Sequence, residues 1–444
     1  LTGEALERAR EAHRCWFHDR ALELQERCRE GSLAARSELA SISGDVLRAA
    51  EFALEQGDRE AALEALLTLR FLVRQGSIPL RPRDYVERLR ASLDDSVPAG
   101  LRARALICIG GELCRMGEHD GVDVALDRAQ ALAESLGSLR LEGRVLNIRV
   151  RSLSSRSRFD DAIAAALRGI DCASRAGDLR IQAHLTLDLA NVRKRGGDHA
   201  ASAEGLHRAR ALYERAKDRG GLSAVLVDLA GLAVAADRMT EARSLFFDAR
   251  RMQQEEGHEV RAACTALYLA FLHLMGEDRA AAREMLEDAV PTVQLRAAPA
   301  MRAFAGRLQA MEAILGGRLD EAADRLTEAV STCSMEYLRR ADRGLLGQVR
   351  ALQRRRWEVD RLLAEQLAGE EGAERAVETR VFALHAELLS RLDAAKSDAS
   401  PGALPPAVAA WLAERLPTLP SGSSTEFAIR LLRAELDPEL VALS

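Results

Sequence analysis

Six segments of this chain repeat every 40 residues without an insertion. A small residue stands at Gly110, Val150, Ala190, Ala230, Ala270 and Ala310. Twelve residues after each come Val122, Ala162, Ser202, Ala242, Ala282 and Ala322. Four further on stand Leu126, Ala166, Leu206, Phe246, Leu286 and Leu326, and three beyond those Ala129, Gly169, Ala209, Ala249, Ala289 and Ala329. These spacings are those of a helical hairpin. Small residues let two helices cross closely, and a larger residue nearby fills the gap to the next pair. Turns are expected at Gly117-Glu118, Gly196-Gly197-Asp198, Ala236-Asp237-Arg238, Gly276-Glu277-Asp278 and Gly316-Gly317-Arg318, where glycine suits a helix C-terminus. Second turns are expected near Gly137, Gly177, Gly220 and Gly257. One hairpin cannot bury its apolar stripe alone, so neighbours must stack into a solenoid.

Composition agrees. Hydrophobic residues make up 48% of the 444 and aromatic residues only 4%, with Ala, Leu, Arg and Glu dominant, which points to an all-α chain with a large core. The net charge of −5 lacks the basic excess of a protein that coats nucleic acid. Only Lys194, Lys217 and Lys396 are lysines among the 63 basic residues, so almost none is available for Schiff-base or phosphate-loop chemistry. The seven cysteines are an odd number without a C-x-x-C pair, which suits a reducing cytoplasm better than a disulfide framework. The first residues are charged and lack the apolar core of a signal peptide, and no run approaches a membrane span. The chain begins with Leu1, from which it is expected to be part of a longer protein.

The four recurring positions resemble those of the tetratricopeptide repeat (TPR), which carries a small residue at its position 8, Ala at 20, a large apolar residue at 24 and Ala at 27. The resemblance spans about residues 103–342. It implies a right-handed α-solenoid of TPR-like hairpins with a 40-residue period, closed by helical caps. The early Trp and the terminal Pro of the family unit are missing, which argues against a chaperone-type peptide clamp. Three regions are expected: N-terminal hairpins over 1–100, six repeats over 101–342, and a capping region over 343–444 with a linker at 397–406 (SDASPGALPP).

In the first hundred residues, helices are expected over 1–30, 35–56, 59–75 and from Asp84 to about Leu93. His13-Arg-Cys-Trp16-Phe17, then Asp45-Val46-Leu47-Arg48-Ala49-Ala50-Glu51, then Gly57-Asp58-Arg59-Glu60-Ala61-Ala62 follow one another here. This succession resembles the junction between the ATPase and winged-helix portion and the helical-repeat arm of STAND-class signalling ATPases, such as regulators related to the maltose activator. Val46 stands where that junction has Asn, and Glu51 where it has Leu. The resemblance places Leu1 just after a winged helix. Toward the other end, helices are expected over 343–367, 373–395, 407–416 and from Thr425 to Leu436.

No chemistry of catalysis is legible. None of the lysines follows a glycine, so the P-loop pattern is absent, as are G-x-S-x-G and a G-x-G-x-x-G after a strand. His258-Glu259 starts a zinc pattern that Ala262 breaks. No catalytic, cofactor or metal residue is assigned, and no cofactor is implied. The family's groove positions 2, 5, 9 and 12 instead mark a recognition surface on the first helix of each hairpin. Arg104, Arg144, Asn147, Arg151, His184, Asn191 and Lys194 form its basic, polar end. Cys264, Leu267, Phe271, Leu274, Phe304, Arg307, Met311 and Ile314 form an apolar end that equally reads as core between repeats. A basic end suits a carboxylate-rich peptide, a phosphate or an acidic protein surface. The arginines 339, 340, 343, 350 and 354–356 before Trp357 read as a solvated helix paired with nearby acids. The resulting expectation is a non-enzymatic, cytoplasmic arm of a bacterial signalling protein. It would take a protein, peptide or small-molecule trigger in a concave groove, with no membrane or nucleic-acid role. The alternative is a stand-alone scaffold joining two proteins; an enzyme with an unrecognised helical site is a third reading.

Overall fold

The computed structural model describes residues 3–29, 32–276, 278–332, 336–353 and 362. Among these there are nineteen α-helices and no strand. The N-terminal set is α1 (Gly3–Arg29), α2 (Leu33–Ser41), α3 (Ser43–Glu55), α4 (Arg59–Thr68), α5 (Arg70–Gln75) and α6 (Pro82–Ala91). The hairpins then follow as α7 (Ala99–Met116) with α8 (His119–Ser135), α9 (Leu139–Ser155) with α10 (Phe159–Arg175), α11 (Leu179–Arg195) with α12 (His199–Arg215), and α13 (Arg219–Ala235) with α14 (Met239–Glu255). Two more pairs are α15 (Glu259–Met275) with α16 (Arg279–Arg296) and α17 (Pro299–Leu315) with α18 (Leu319–Thr332), before α19 (Glu336–Leu352).

The repeat has an inner ruler of 20 residues. From α8 to α15 every helix has 17 residues, about 25 Å at 1.5 Å per residue. Three-residue turns separate them. The middle residue of each is left-handed: Gly137, Ser157, Gly177, Gly197, Lys217, Asp237 and Gly257, as is Gly117 in the two-residue turn before α8. Glycine adopts that region without a Cβ penalty. Ser157, Lys217 and Asp237, at φ 58°, 51° and 57°, are held there by the closure of the hairpin. The turn expected near Gly220 is therefore at Ala216–Asp218, and Gly220 lies inside α13. Aspartates cap several of the following helices. Asp178 accepts from the Ile181 N–H at 3.1 Å, Asp198 from Ala201 at 3.0 Å and Asp278 from Ala281 at 3.1 Å.

The four recurring positions form the core. Of the side chains in those series, none is more than 4% exposed. The small ones are required by distance: a Cβ on Gly110 would come within 2.9 Å of Leu126 Cδ2, and one on Gly169 within 2.9 Å of Leu185 Cδ1. The chain divides into two compact units, Leu1–Leu229 with Met252–His258, and Ala230–Arg251 with Glu259–Ser444. Within the first unit α7 packs on α8 and α9, and α9 on α10 and α11. Within the second, α15 packs on α16 and α17, and α17 on α18 and α19. First helix stacks on first helix in each, which is the solenoid arrangement.

Three element boundaries differ from expectation. The helix expected over 35–56 is broken at Ile42 (φ −91°, ψ 2°) into α2 and α3, and the one over 59–75 at Leu69 into α4 and α5. Both breaks let short helices turn apolar faces onto α1, α6 and α7 within one cluster holding Leu39, Val46, Leu66, Leu69 and Leu72. The helix expected from 343 is already formed at Glu336, in α19. The helices expected over 373–395, 407–416 and 425–436 and the linker 397–406 lie outside the described residues, as do Arg354–Arg356 and Trp357.

Candidate recognition face

Because α7, α9 and α11 stack directly, equal positions of successive repeats are neighbours. Spacings of three and four keep positions 2, 5, 9 and 12 on one stripe of each helix. On this stripe Asn147 donates through Nδ2 to Asp188 Oδ2 at 2.7 Å. Arg151 donates through Nη2 to Asn147 Oδ1 at 3.1 Å and lies 3.7 Å from the Asp188 carboxylate. One repeat on, Asn191 Nδ2 donates to Asp228 Oδ2 at 3.1 Å, and Lys194 Nζ to Asp228 Oδ1 at 3.0 Å. The unit Asn–cation–Asp thus occurs twice, and of the cations expected to make a bare basic surface Arg151 and Lys194 are each offset by an aspartate.

Asp188 and Asp228 were not among the residues expected to act here. Their signal in the sequence is that they stand 40 apart, in repeat register, on the flank of the groove stripe. Burial pushes the Asp188 carboxyl up to about 6; Arg151 and the Asn147 hydrogen bond pull it down, and Asp228 pushes it up. His184 Nδ1 lies 2.6 Å from the hydroxyl of the fully buried Tyr213. Burial lowers that imidazole to about 4, with Arg151, Arg74 and Arg180 acting the same way and Asp218 opposing. His184 is therefore neutral near pH 7.

Arg104, Arg144 and His184 hold the same position on successive helices. Arg104 is exposed and Arg144 half-buried. The Nε of Arg144 is buried without a hydrogen-bond partner among the described residues. Burial disfavours its charge, and so do Arg70, Arg104 and Arg140; Asp178 opposes them. A second orphan lies on the same face: Asn191 Oδ1 is buried with no donor.

The apolar set falls in the second unit. Leu267, Leu274, Met311 and Ile314 are core residues, with Met311 only 3% exposed. Phe271 and Phe304 are half-buried with ring centroids 6.4 Å apart, and Tyr268 joins Phe246 and Phe304 at 5.3 and 5.6 Å. Arg307 is ion-paired to the buried Asp342. These side chains fill the space between stacked hairpins, because the same stripe that faces a groove in one repeat meets bulky neighbours here. Among the described residues no group of three His, Cys, Asp or Glu is placed to hold a metal ion. No described helix is long and apolar enough to cross a membrane.

No family model matches the chain, and no curated protein matches it. Several solved structures are similar. One is the quorum sensor NprR from B. thuringiensis in its apo form, 10% identical over 82% of this chain and 99% of that one, with a TM-score of 0.49. Another is NprR in complex with its cognate peptide NprX, 13% identical over 75% of this chain and 96% of that one, TM-score 0.49. A third is a Signal Transduction ATPase with Numerous Domains with a tetratricopeptide repeat sensor, from Pyrococcus horikoshii. It is 11% identical over 67% of this chain, with a TM-score of 0.47, and the match spans 46% of its length. By its hairpins, their register and their stacking, this chain has a TPR-like helical-repeat fold.

Proposed function

We propose that the chain is a non-catalytic recognition arm that takes a peptide or protein segment along the face of its first helices. The observation that carries this reading is the polar stripe of the first helices, where Asn147 and Asn191 are held by Asp188 and Asp228 one helix on. Asn147 and Asn191 are already oriented by Asp188 and Asp228, so little side-chain entropy is lost on binding. In the finer reading the arm is the sensor of a larger bacterial signalling ATPase of STAND type, working in the cytoplasm. Its six described cysteines are free thiols, which suits a reducing compartment. A trigger shifts such a switch only by its preference for one state over the other.

The test is partner capture from native lysate with the parent chain and with Arg144→Gln and Asn191→Ala. Charge reversal at Arg151 or Lys194 is unsuitable, because it would set a second carboxylate against Asp188 or Asp228. A partner held by the parent and lost by both variants supports the reading. Equal recovery by all three refutes the assigned face.

A further inference from the structure

A buried carboxylate in this fold can be held by one arginine. Glu112, in α7, is buried, and among the described residues Arg115 alone bonds it, with Nε at 3.0 Å. Glu312, in α17, stands at the same repeat position five repeats later and is buried likewise. Three arginines converge on it. Its Oε1 accepts from Arg279 Nε at 2.8 Å and from Arg283 Nη2 at 2.6 Å and Nε at 3.1 Å, and its Oε2 from Arg318 Nη2. Arg279 and Arg283 come from the first two turns of α16 and Arg318 from the turn before α18, all within the second unit. Gly316 makes the room: a Cβ there would lie 2.1 Å from Arg279 Nη2. One carboxylate does not balance three guanidinium charges. Glu321 meets Arg318 Nε at 2.9 Å, and Glu287, a turn beyond Arg283, acts on it only at longer range. The donors are not used up either. Both Nη atoms of Arg279 and the Nη1 atoms of Arg283 and Arg318 make no hydrogen bond among the described residues. Solvent reaches all three side chains, which are 33%, 47% and 41% exposed.

We propose that Arg279, Arg283 and Arg318, gathered around Glu312, form a binding site for the phosphate group of a small molecule. Glu312 is the anchor. It orients the three guanidinium groups before the ligand arrives, which spares the entropy of fixing long side chains on binding. Burial pushes its carboxyl up, but the bonds from Arg283 and Arg279 and the charge of Arg318 bring it below the usual carboxylate range, so it stays ionised. Planar forks from three positions suit the several oxygens of a tetrahedral phosphate, whereas a carboxylate offers two oxygens in one plane. This goes beyond the recognition reading and does not depend on it.

The full chain is titrated calorimetrically with inorganic phosphate and pyrophosphate, and with citrate for comparison, at constant ionic strength. Arg283→Ala, Gly316→Ala and Arg251→Ala are titrated alongside, and thermal unfolding shows whether each is folded. Arg283→Ala leaves Glu312 two arginines. Gly316→Ala displaces the far end of Arg279 and removes no charge. Arg251 is an exposed arginine of α14, paired with Asp248 and outside the cluster. The parent is expected to bind pyrophosphate saturably, more tightly than citrate, and to gain Tm with its concentration as mass action requires. Arg283→Ala is expected to bind about tenfold more weakly, for the loss of a charged hydrogen-bonding group. Gly316→Ala is expected to bind severalfold more weakly, and Arg251→Ala as the parent does. Absence of saturable binding to both phosphate and pyrophosphate overturns the proposal, and leaves the arginines as partners of Glu312 only. Equal weakening by Arg251→Ala and Arg283→Ala overturns it too, because the attraction is then one of general surface charge. Citrate bound as tightly as pyrophosphate refutes the phosphate assignment. Should Arg283→Ala fail to fold, Gly316→Ala decides: unchanged affinity there refutes the site.

Discussion

Lowering the pH should act on Asp188 and His184 in opposite senses, and a single substitution should separate them. Asp188 is held near 6 in the fold against an ordinary value of 3.8. That difference of about two units is worth about 3 kcal/mol at 1.36 kcal/mol per unit. The folded chain binds this proton more tightly than the unfolded one. The contribution is thus fully present below about pH 4 and is lost as the pH rises through about 6. His184 is held near 4 against 6.5. Here the unfolded chain binds the proton more tightly, so the contribution is present above 6.5 and is lost as the pH falls through about 4. It is again about 3 kcal/mol. The two slopes cancel over much of pH 4–6.5, and the parent should show a shallow dependence there. Asp188→Asn removes the falling slope. The difference in stability between parent and Asp188→Asn should then shrink or reverse by about 3 kcal/mol between pH 4 and 7, with the parent favoured at low pH. Urea midpoints by far-ultraviolet circular dichroism, measured for both proteins at half-unit pH intervals, give this difference curve. A flat difference curve would refute the argument, because it would mean that the Asp188 carboxyl titrates as it does in the unfolded chain.

Three further outcomes follow from packing. Gly221→Ala would place a Cβ 2.1 Å from Cε1 of the buried Tyr213 ring, so it should destabilise by roughly 1–3 kcal/mol, read as a lower urea midpoint. Arg307→Met leaves Asp342, whose side chain is fully buried, without its counter-charge and should cost about 3–5 kcal/mol. Adding Asp342→Leu should recover most of that loss in the same urea assay. Arg36 lies over the Phe71 ring at 5.0 Å and donates to the Glu256 carbonyl, tying α2 to the segment Met252–His258 within the first unit. Arg36→Ala should speed amide exchange at residues 256–258 by roughly tenfold, measured by mass spectrometry, for the loss of a charged hydrogen bond.

The repeat and its core were legible in the sequence because close helix crossings admit few side chains. A small residue at Gly110 or Ala190 is dictated by what its own helix must pass, and that demand recurs every 40 residues. Most turns were legible for the same local reason, since Gly117, Gly177 and Gly197 can be left-handed at no cost. Lys217 shows the limit: it adopts φ 51° because two 17-residue helices must close on each other, and nothing in its chemistry announces this. The break at Leu69 was hidden likewise, in a stretch with no Gly or Pro, where packing on neighbouring helices outweighs helix propensity; that at Ile42 had a local signal in Ser41, Ser43 and Gly44, which the pattern of apolar residues overrode.

The proposed recognition face divides along the same line. Sequence alone determined which stripe of each first helix carries Arg144, Asn147, Asn191 and Lys194, because helical spacing is a property of the chain itself. Only the tertiary structure decided that Asp188 turns to Asn147 and Asp228 to Asn191, that Met311 is core, and that Arg144 keeps an unshared Nε–H. Those outcomes depend on which side chains of neighbouring helices come within hydrogen-bonding reach. Burial, which sets the charge of Asp188 and His184, is a property of the assembled walls.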